Sequence, residues 1–319
     1  MLRLAITALL WLVAGTTLAQ PLRGLLLTSP GVYHNYEYQT RALAEGLAQN
    51  LKIRFDVSLA ESERWKSTDF ARGYDVLVDN ICMADNRDNA LIANLRRQTE
   101  VLGIPTVVLH CTMHSFRDTN AWWPLYGLKS YHHDPLGPMR QAQARQHPIL
   151  TDIPKNWTVA SDELYINLAF EADSLLRAQG EDGKTHITTW ITTAGNAQVF
   201  GTTLGHSNQT IEDPVYQRLV ANGIAFVTGN MDAQGNIDEQ LKPQGESWDV
   251  LEGFSAPQGV KFLGAEGQDC VRRQFAVSVG PCYIGCTLNP LLWGEQADNC
   301  RKNCNKKLPT TDQAIKACS

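Results

Sequence analysis

The sequence predicts an α/β protein: a parallel sheet with helices on both faces, followed by a small disulfide-rich C-terminal domain. Three observations predict it. Short apolar runs alternate with segments of helical periodicity, a spacing that implies parallel pairing through crossover helices. The clearest runs are continuous rather than alternating, as strands buried on both faces require. Finally, the cysteines cluster. Six of the eight, Cys270, Cys282, Cys286, Cys300, Cys304 and Cys318, fall in the last fifty residues.

Leu25-Leu26-Leu27 is the first strand, and Gly31 with the polar stretch Tyr33–Tyr36 forms the turn after it. Leu43, Leu47 and Leu51 recur at helical spacing and predict a helix through Thr40–Asn50. Ile53, Phe55 and Val57 alternate as a second strand. Tyr74–Val78 is a third, and Asn89–Thr99 is a helix that Gly103-Ile104-Pro105 ends. Thr106–Leu109 follows as the central strand. Further strands are expected at Glu163–Leu168, His186–Thr192 and Gln198–Thr203, and an amphipathic helix at Val215–Val227. Ala121–Pro154, rich in Trp, Pro and His, reads as a long surface excursion, and such excursions are often functional. The chain therefore divides into an α/β domain over 20–230, a polar linker over 231–246 and a cysteine-rich domain over 247–319. There is no internal repeat and no low-complexity tract.

The first residues carry one positive charge, Arg3, then the apolar run Leu4–Val13, then Thr17-Leu18-Ala19. That is the layout of a secretory signal peptide cleaved after Ala19, and it makes the protein secreted or periplasmic. The run is shorter than the roughly 20 residues that cross a bilayer, so the mature chain is expected to have no membrane span. The formal net charge is -5, from 28 basic and 33 acidic residues. Removing a leader with one Arg and no acid takes it to -6. This mildly acidic balance argues against nucleic acid or an anionic membrane as partner.

In an exported chain the six clustered cysteines read as a disulfide framework, for which 15 pairings exist. Cys-x-x-x-Cys occurs twice, at Cys282/Cys286 and Cys300/Cys304, and a zinc module is the competing reading. Cys82 and Cys111 stand apart from these. Each lies just beyond a strand end, in strands expected to be neighbours, so a Cys82–Cys111 bridge is geometrically reasonable. A free structural thiol and a Cys111 nucleophile are the alternatives.

One stretch carries a resemblance. Gln198–Thr203 runs as a strand into Leu204-Gly205-His206, and Glu212-Asp213-Pro214 then opens the helix Val215–Val227. With His147-Pro148-Ile149 and Asp162-Glu163-Leu164-Tyr165 upstream, this resembles the ThuA-like (trehalose-utilisation) family over roughly Arg23–Gly229. The resemblance implies a flavodoxin-like sheet related to class I glutamine amidotransferases, and a carbohydrate ligand. It also puts His110 at the sharp turn where related enzymes carry a nucleophile. Cys111 has no flanking Gly, and the His-x-Glu pair of a glutaminase triad has no matching position.

Ligands of open α/β sheets collect outside the carboxyl ends of the strands. His34 follows the first strand, His110 ends the central one and His206 follows Gln198–Thr203, so all three share one rim. His114 lies close by, and His132 and His133 lie on the excursion that can fold over it. Glu163 is the acid/base candidate, together with His110. His34, His206 and Glu163 form a candidate set for a divalent metal such as zinc. Trp123 and Tyr126, with Trp122 and Tyr131, offer aromatic faces to a sugar, though the same rings would serve equally to anchor the loop. Asp213-Pro214 reads first as a helix start. The leading function is an enzyme acting on a carbohydrate or oxidised sugar derivative. The alternatives are a non-catalytic carbohydrate-binding or envelope-interaction protein, and a cysteine hydrolase using Cys111.

Overall fold

The computed structural model describes residues 20–251, except positions 30–32, 61, 85, 118, 170, 246 and 247 and the side chain of Tyr131. The leader, the Gly31 turn and the six C-terminal cysteines lie outside the described residues.

The elements run β1 (Leu22–Thr28), α1 (Tyr36–Ala48), β2 (Ile53–Leu59), β3 (Val76–Asn80), α2 (Asn89–Glu100) and β4 (Thr106–Leu109). Then come β5 (Leu128–His133), β6 (Gly137–Arg140), β7 (Ala142–Gln143), β8 (Thr158–Asp162) and β9 (Tyr165–Ala169). They close with β10 (Asp173–Gln179), β11 (Thr185–Ala194), β12 (Ala197–Thr202), α3 (Asn208–Glu212) and α4 (Pro214–Val227). Eight strands form one sheet in the order β2-β1-β3-β4-β12-β11-β10-β7. The first five run parallel, and β11, β10 and β7 extend the sheet antiparallel.

The parallel half is buried on both faces, as its continuous apolar runs require. Leu26 packs with Leu43 and Leu47 of α1 and Leu219 and Ile224 of α4. Its neighbours Leu25 and Leu27 face the other way, onto Ile92 and Leu95 of α2. Each helix begins on a side-chain cap: Asn35 accepts from Tyr38 N–H, Asp88 from Ala90 and Leu91, and Asp213 from Val215. Asp213-Pro214 is thus a helix start, with proline where its missing N–H costs nothing.

Three expectations are corrected. β11, covering His186–Thr192, is antiparallel, because only Gly195-Asn196 separates it from β12 and two residues can close a hairpin but not a crossover. Asp162 ends β8, Glu163 stands between it and β9, and β9 leaves the main sheet to pair with β5. Within Ala121–Pro154, read as irregular, β5, β6 and β7 pair with β9, β8 and β10. Those strands are short and lack apolar alternation. Residues 231–245 lie along the domain, with Ile237 and Leu241 buried in its core, and Trp248 donates its indole N–H to Ile53 O at 2.8 Å. Among the described residues no helix is long and apolar enough to cross a membrane.

Cys82 and Cys111 form a disulfide, with Cα atoms 5.0 Å apart. It joins the end of β3 to the turn after β4. Closing a loop of this separation, 29 residues, restricts the unfolded chain, so Cys82→Ser/Cys111→Ser should lose roughly 3–4 kcal/mol. Urea unfolding of the double variant against wild type measures it, and a loss below about 1 kcal/mol would contradict the estimate.

Candidate functional site

His34, His110 and His206 follow β1, β4 and β12, whose carboxyl ends lie on one side of the sheet. The turn at His110 is sharp. Its φ is +39°, in the left-handed region, at a cost of about 1–3 kcal/mol that concentrates at functional sites. The surroundings hold it there. Cys111 is tied to Cys82. The Thr112 hydroxyl donates to Asp79 O at 2.7 Å and accepts from Ile81 N–H at 3.1 Å. The Trp122 indole donates to Thr112 O at 2.9 Å. The small neighbour that such a turn needs comes from β12's end. Gly205 has φ +124°, and a Cβ there would stand 2.8 Å from the Tyr216 hydroxyl and 3.4 Å from His110 Cβ.

His110 Nδ1 faces Thr203 O at 2.8 Å, so it carries the proton and leaves a lone pair on Nε2. Three groups approach that Nε2: the Tyr165 hydroxyl at 3.2 Å, His206 Nδ1 at 3.3 Å and Glu163 Oε2 at 3.8 Å. Glu163 Oε2 is 3.1 Å from His206 Nδ1, and Oε1 is 3.6 Å from His133 Nδ1. His34 packs edge-on against both partners, with ring centroids 4.9 Å from His110 and 4.7 Å from His206. His114 stacks on Tyr165 at 3.8 Å and meets Ser130 Oγ at 3.0 Å.

The adjacent acids Asp162 and Glu163 divide their roles. Asp162 points inward and accepts backbone N–H bonds from Gly205 (2.8 Å), His206 (3.1 Å) and Glu163 (2.8 Å). It locks the β12 turn to β8 and leaves Glu163 to face the histidines.

Burial governs the charges. It drives His34 well below the ordinary imidazole value, and the neighbouring His110 and His206 push the same way. Burial, with His206 beside it, takes His110 to about 3. Both rings are therefore neutral at physiological pH. Burial alone would raise Glu163, but the hydrogen bond and charge of His206, with His110 and His133, outweigh it and hold the carboxyl at about 2. A buried carboxylate thus stands 3.8 Å from the neutral His110 ring.

This donor set fits a divalent metal. One nitrogen from each of His34, His110 and His206 lies within 4.8 Å of the others, and His34 Nδ1 is buried without a hydrogen-bond partner. His110 Nε2, His206 Nδ1 and Glu163 Oε2 are separated by 3.1, 3.3 and 3.8 Å. A tetrahedral zinc site with bonds of 2.0–2.1 Å needs edges of roughly 3.3 Å. The His110 Nδ1–H bond to a backbone carbonyl is the outer-shell contact that metal-ligating histidines usually make.

Of the residues expected at the site, His34, His110, His206, Glu163 and His133 come together. His132 is exposed and makes no hydrogen bond to them. Trp123 and Tyr126 are corrected from sugar platforms to core anchors, 3% and 0% exposed. Tyr126 donates to Asp79 Oδ2 at 3.0 Å, and Trp122 is wholly buried beside it. The Cys111 sulfur is bonded to Cys82 and so offers no thiolate, which overturns the cysteine-hydrolase reading. Tyr165 was missed as a site residue, although Asp-Glu-Leu-Tyr places it two residues after Glu163.

The model of the ThuA family, described as trehalose utilisation, matches residues 25–227. Among solved structures, a ThuA-like protein from Parabacteroides merdae ATCC 43184 aligns with a TM-score of 0.54 at 17% identity, covering 66% of this chain and 90% of that one. A second, from Bacteroides uniformis ATCC 8492, aligns at 0.53 and 16% identity, covering 68% and 95%. At such identities they show a shared fold. No curated protein matches the sequence.

Proposed function

The chain belongs to the ThuA (trehalose utilisation) family, and on that premise we propose that it is an enzyme acting on a carbohydrate or oxidised sugar derivative at the histidine rim. One observation carries the reading: three imidazoles, those of His34 and His110 buried and that of His206 partly so, converge with a carboxylate 3.1 Å from His206. His34, His110 and His206 hold a divalent metal, zinc by its donor preference, and Glu163 borders it. Such an ion supplies Lewis-acid polarisation of a sugar oxygen. Glu163 is the proton acceptor for a sugar hydroxyl or for a carbon beside a carbonyl. Tyr165, whose hydroxyl meets His110 Nε2, orients that ring and can turn to a substrate oxygen. Export belongs to the same reading, supported by the leader-like first 19 residues and the Cys82–Cys111 disulfide.

Elemental analysis tests the site. Native protein should carry near-stoichiometric divalent metal, and His110→Ala/His206→Ala should lose it while remaining folded. A metal-free wild type removes the metal from the reading. Equal metal in both proteins places it elsewhere and removes it just as surely.

A further inference from the structure

A groove of about 660 Å³ opens at the antiparallel edge of the sheet, away from the histidines. Arg140, Arg145, Lys155 and Arg177 line it, with Gln146 and Gln179 between them. Arg145 pairs with Asp173 at 2.5 Å. Arg140 donates to Asn156 Oδ1 at 3.2 Å and Arg177 to Ser174 Oγ at 3.0 Å. Arg140, Lys155 and Arg177 form no ion pair with any carboxylate among the described residues. Three uncompensated cations thus gather in one groove of a chain whose net charge is -5. Like charges held together without counter-charges repel, and an anionic ligand relieves that repulsion.

The groove is also on the rim side. Thr202 of β12 is level with Thr189 of β11, and Thr189 with Leu176 of β10. β10 and β12 are both antiparallel to β11, so they point the same way. Arg177 and Gln179 therefore lie beyond the level where β12 ends, on the side of His206. Two strand spacings, about 10 Å, separate β10 from β12. A ligand of a few sugar units can span that distance.

We propose that this groove is a subsite for an acidic saccharide, its carboxylates paired with Arg140, Lys155 and Arg177 and its hydroxyls with the glutamine amides. No aromatic side chain lines it, so the stacking surface on which single-stranded nucleic acid relies is missing. Placing the other end of the ligand at the histidines rests on the proposed function. The anion-binding groove itself does not.

Titration calorimetry at low ionic strength with an oligogalacturonate, against a neutral malto-oligosaccharide, tests it. Wild type should bind the acidic chain more tightly, and high salt should weaken that binding. Arg140→Glu/Lys155→Glu, at two exposed positions, should lose at least about tenfold in affinity with its melting temperature preserved. His206→Ala should keep the acidic chain. Equal affinity for both oligosaccharides, no acidic binding, or no effect of charge reversal overturns the proposal. Loss confined to His206→Ala also overturns it, by placing the anion at the histidines. A wild type that carries no metal and shows no turnover, yet binds the acidic chain in the groove, counts only against the proposed enzyme.

Discussion

Glu163→Gln should cut turnover by about 10²–10⁴-fold, the range that a positioned acid/base supplies, while leaving substrate affinity close to wild type. The substitution keeps the shape of the side chain and removes its charge. Glu163 is buried, its Oε2 lies 3.1 Å from His206 Nδ1, and its carboxyl is held at about 2. It is therefore anionic across the pH range in which the enzyme would work, and a glutamine there cannot take a proton. Asp162, not Glu163, carries the three backbone bonds that fix the turn, so the variant should fold. Measuring kcat and KM separately, with metal content alongside, reads the result. Unchanged turnover would remove Glu163 from the chemistry. A wild type that binds sugar and never turns it over would make the rim a recognition site instead.

The parallel half of the sheet was legible because its strands announce themselves locally. Leu25-Leu26-Leu27 and Thr106–Leu109 are short continuous runs, the first followed within one loop by a helical pattern and the second set off by the breaker Gly103-Ile104-Pro105 before it. In the antiparallel extension β7 and β10 were not legible: β7 spans only Ala142–Gln143 and owes its existence to β10, far along the chain, and β10 lacks a two-residue alternation. The three rim histidines were legible for a topological reason: parallel strands bring every carboxyl end to one side. Burial was the property the sequence concealed. Trp123 and Tyr126 look like a sugar platform beside a polar loop, yet Tyr126 spends its hydroxyl on Asp79 and both rings fill the face opposite α1 and α4. His110's strained turn had a readable signal that flanking residues could not give. Its small neighbour is Gly205, 95 positions away, in the strand–Gly-His motif itself.

That buried tyrosine leads to the second large effect: Asp79→Asn should make the protein less sensitive to rising pH. Asp79 lies near the end of β3, buried inside the domain, and burial raises its carboxyl from 3.8 to about 7, against a lowering by the Tyr126 hydrogen bond. In the unfolded chain the group loses its proton near 3.8, whereas in the fold it keeps it to about 7. Between those values the native state binds more protons, so stability falls as pH rises and levels off above 7. The favourable contribution is whole below about pH 4 and gone once the folded carboxyl ionises. At about 1.4 kcal/mol per unit, the full swing is about 4 kcal/mol. Asparagine presents the same carbonyl oxygen to Tyr126 and never ionises, and its amide can donate where Asp79 Oδ1 now has no partner. Tyr36, whose buried hydroxyl is raised first by burial and then by the charge of Asp79, gains from the same neutralisation. Urea unfolding at pH 5 and pH 8 is the measurement. The variant's advantage over wild type should grow by roughly 2–3 kcal/mol from the lower pH to the higher. Parallel pH profiles for the two proteins would mean that Asp79 is ionised in the fold at both pH values, its charge compensated inside the domain.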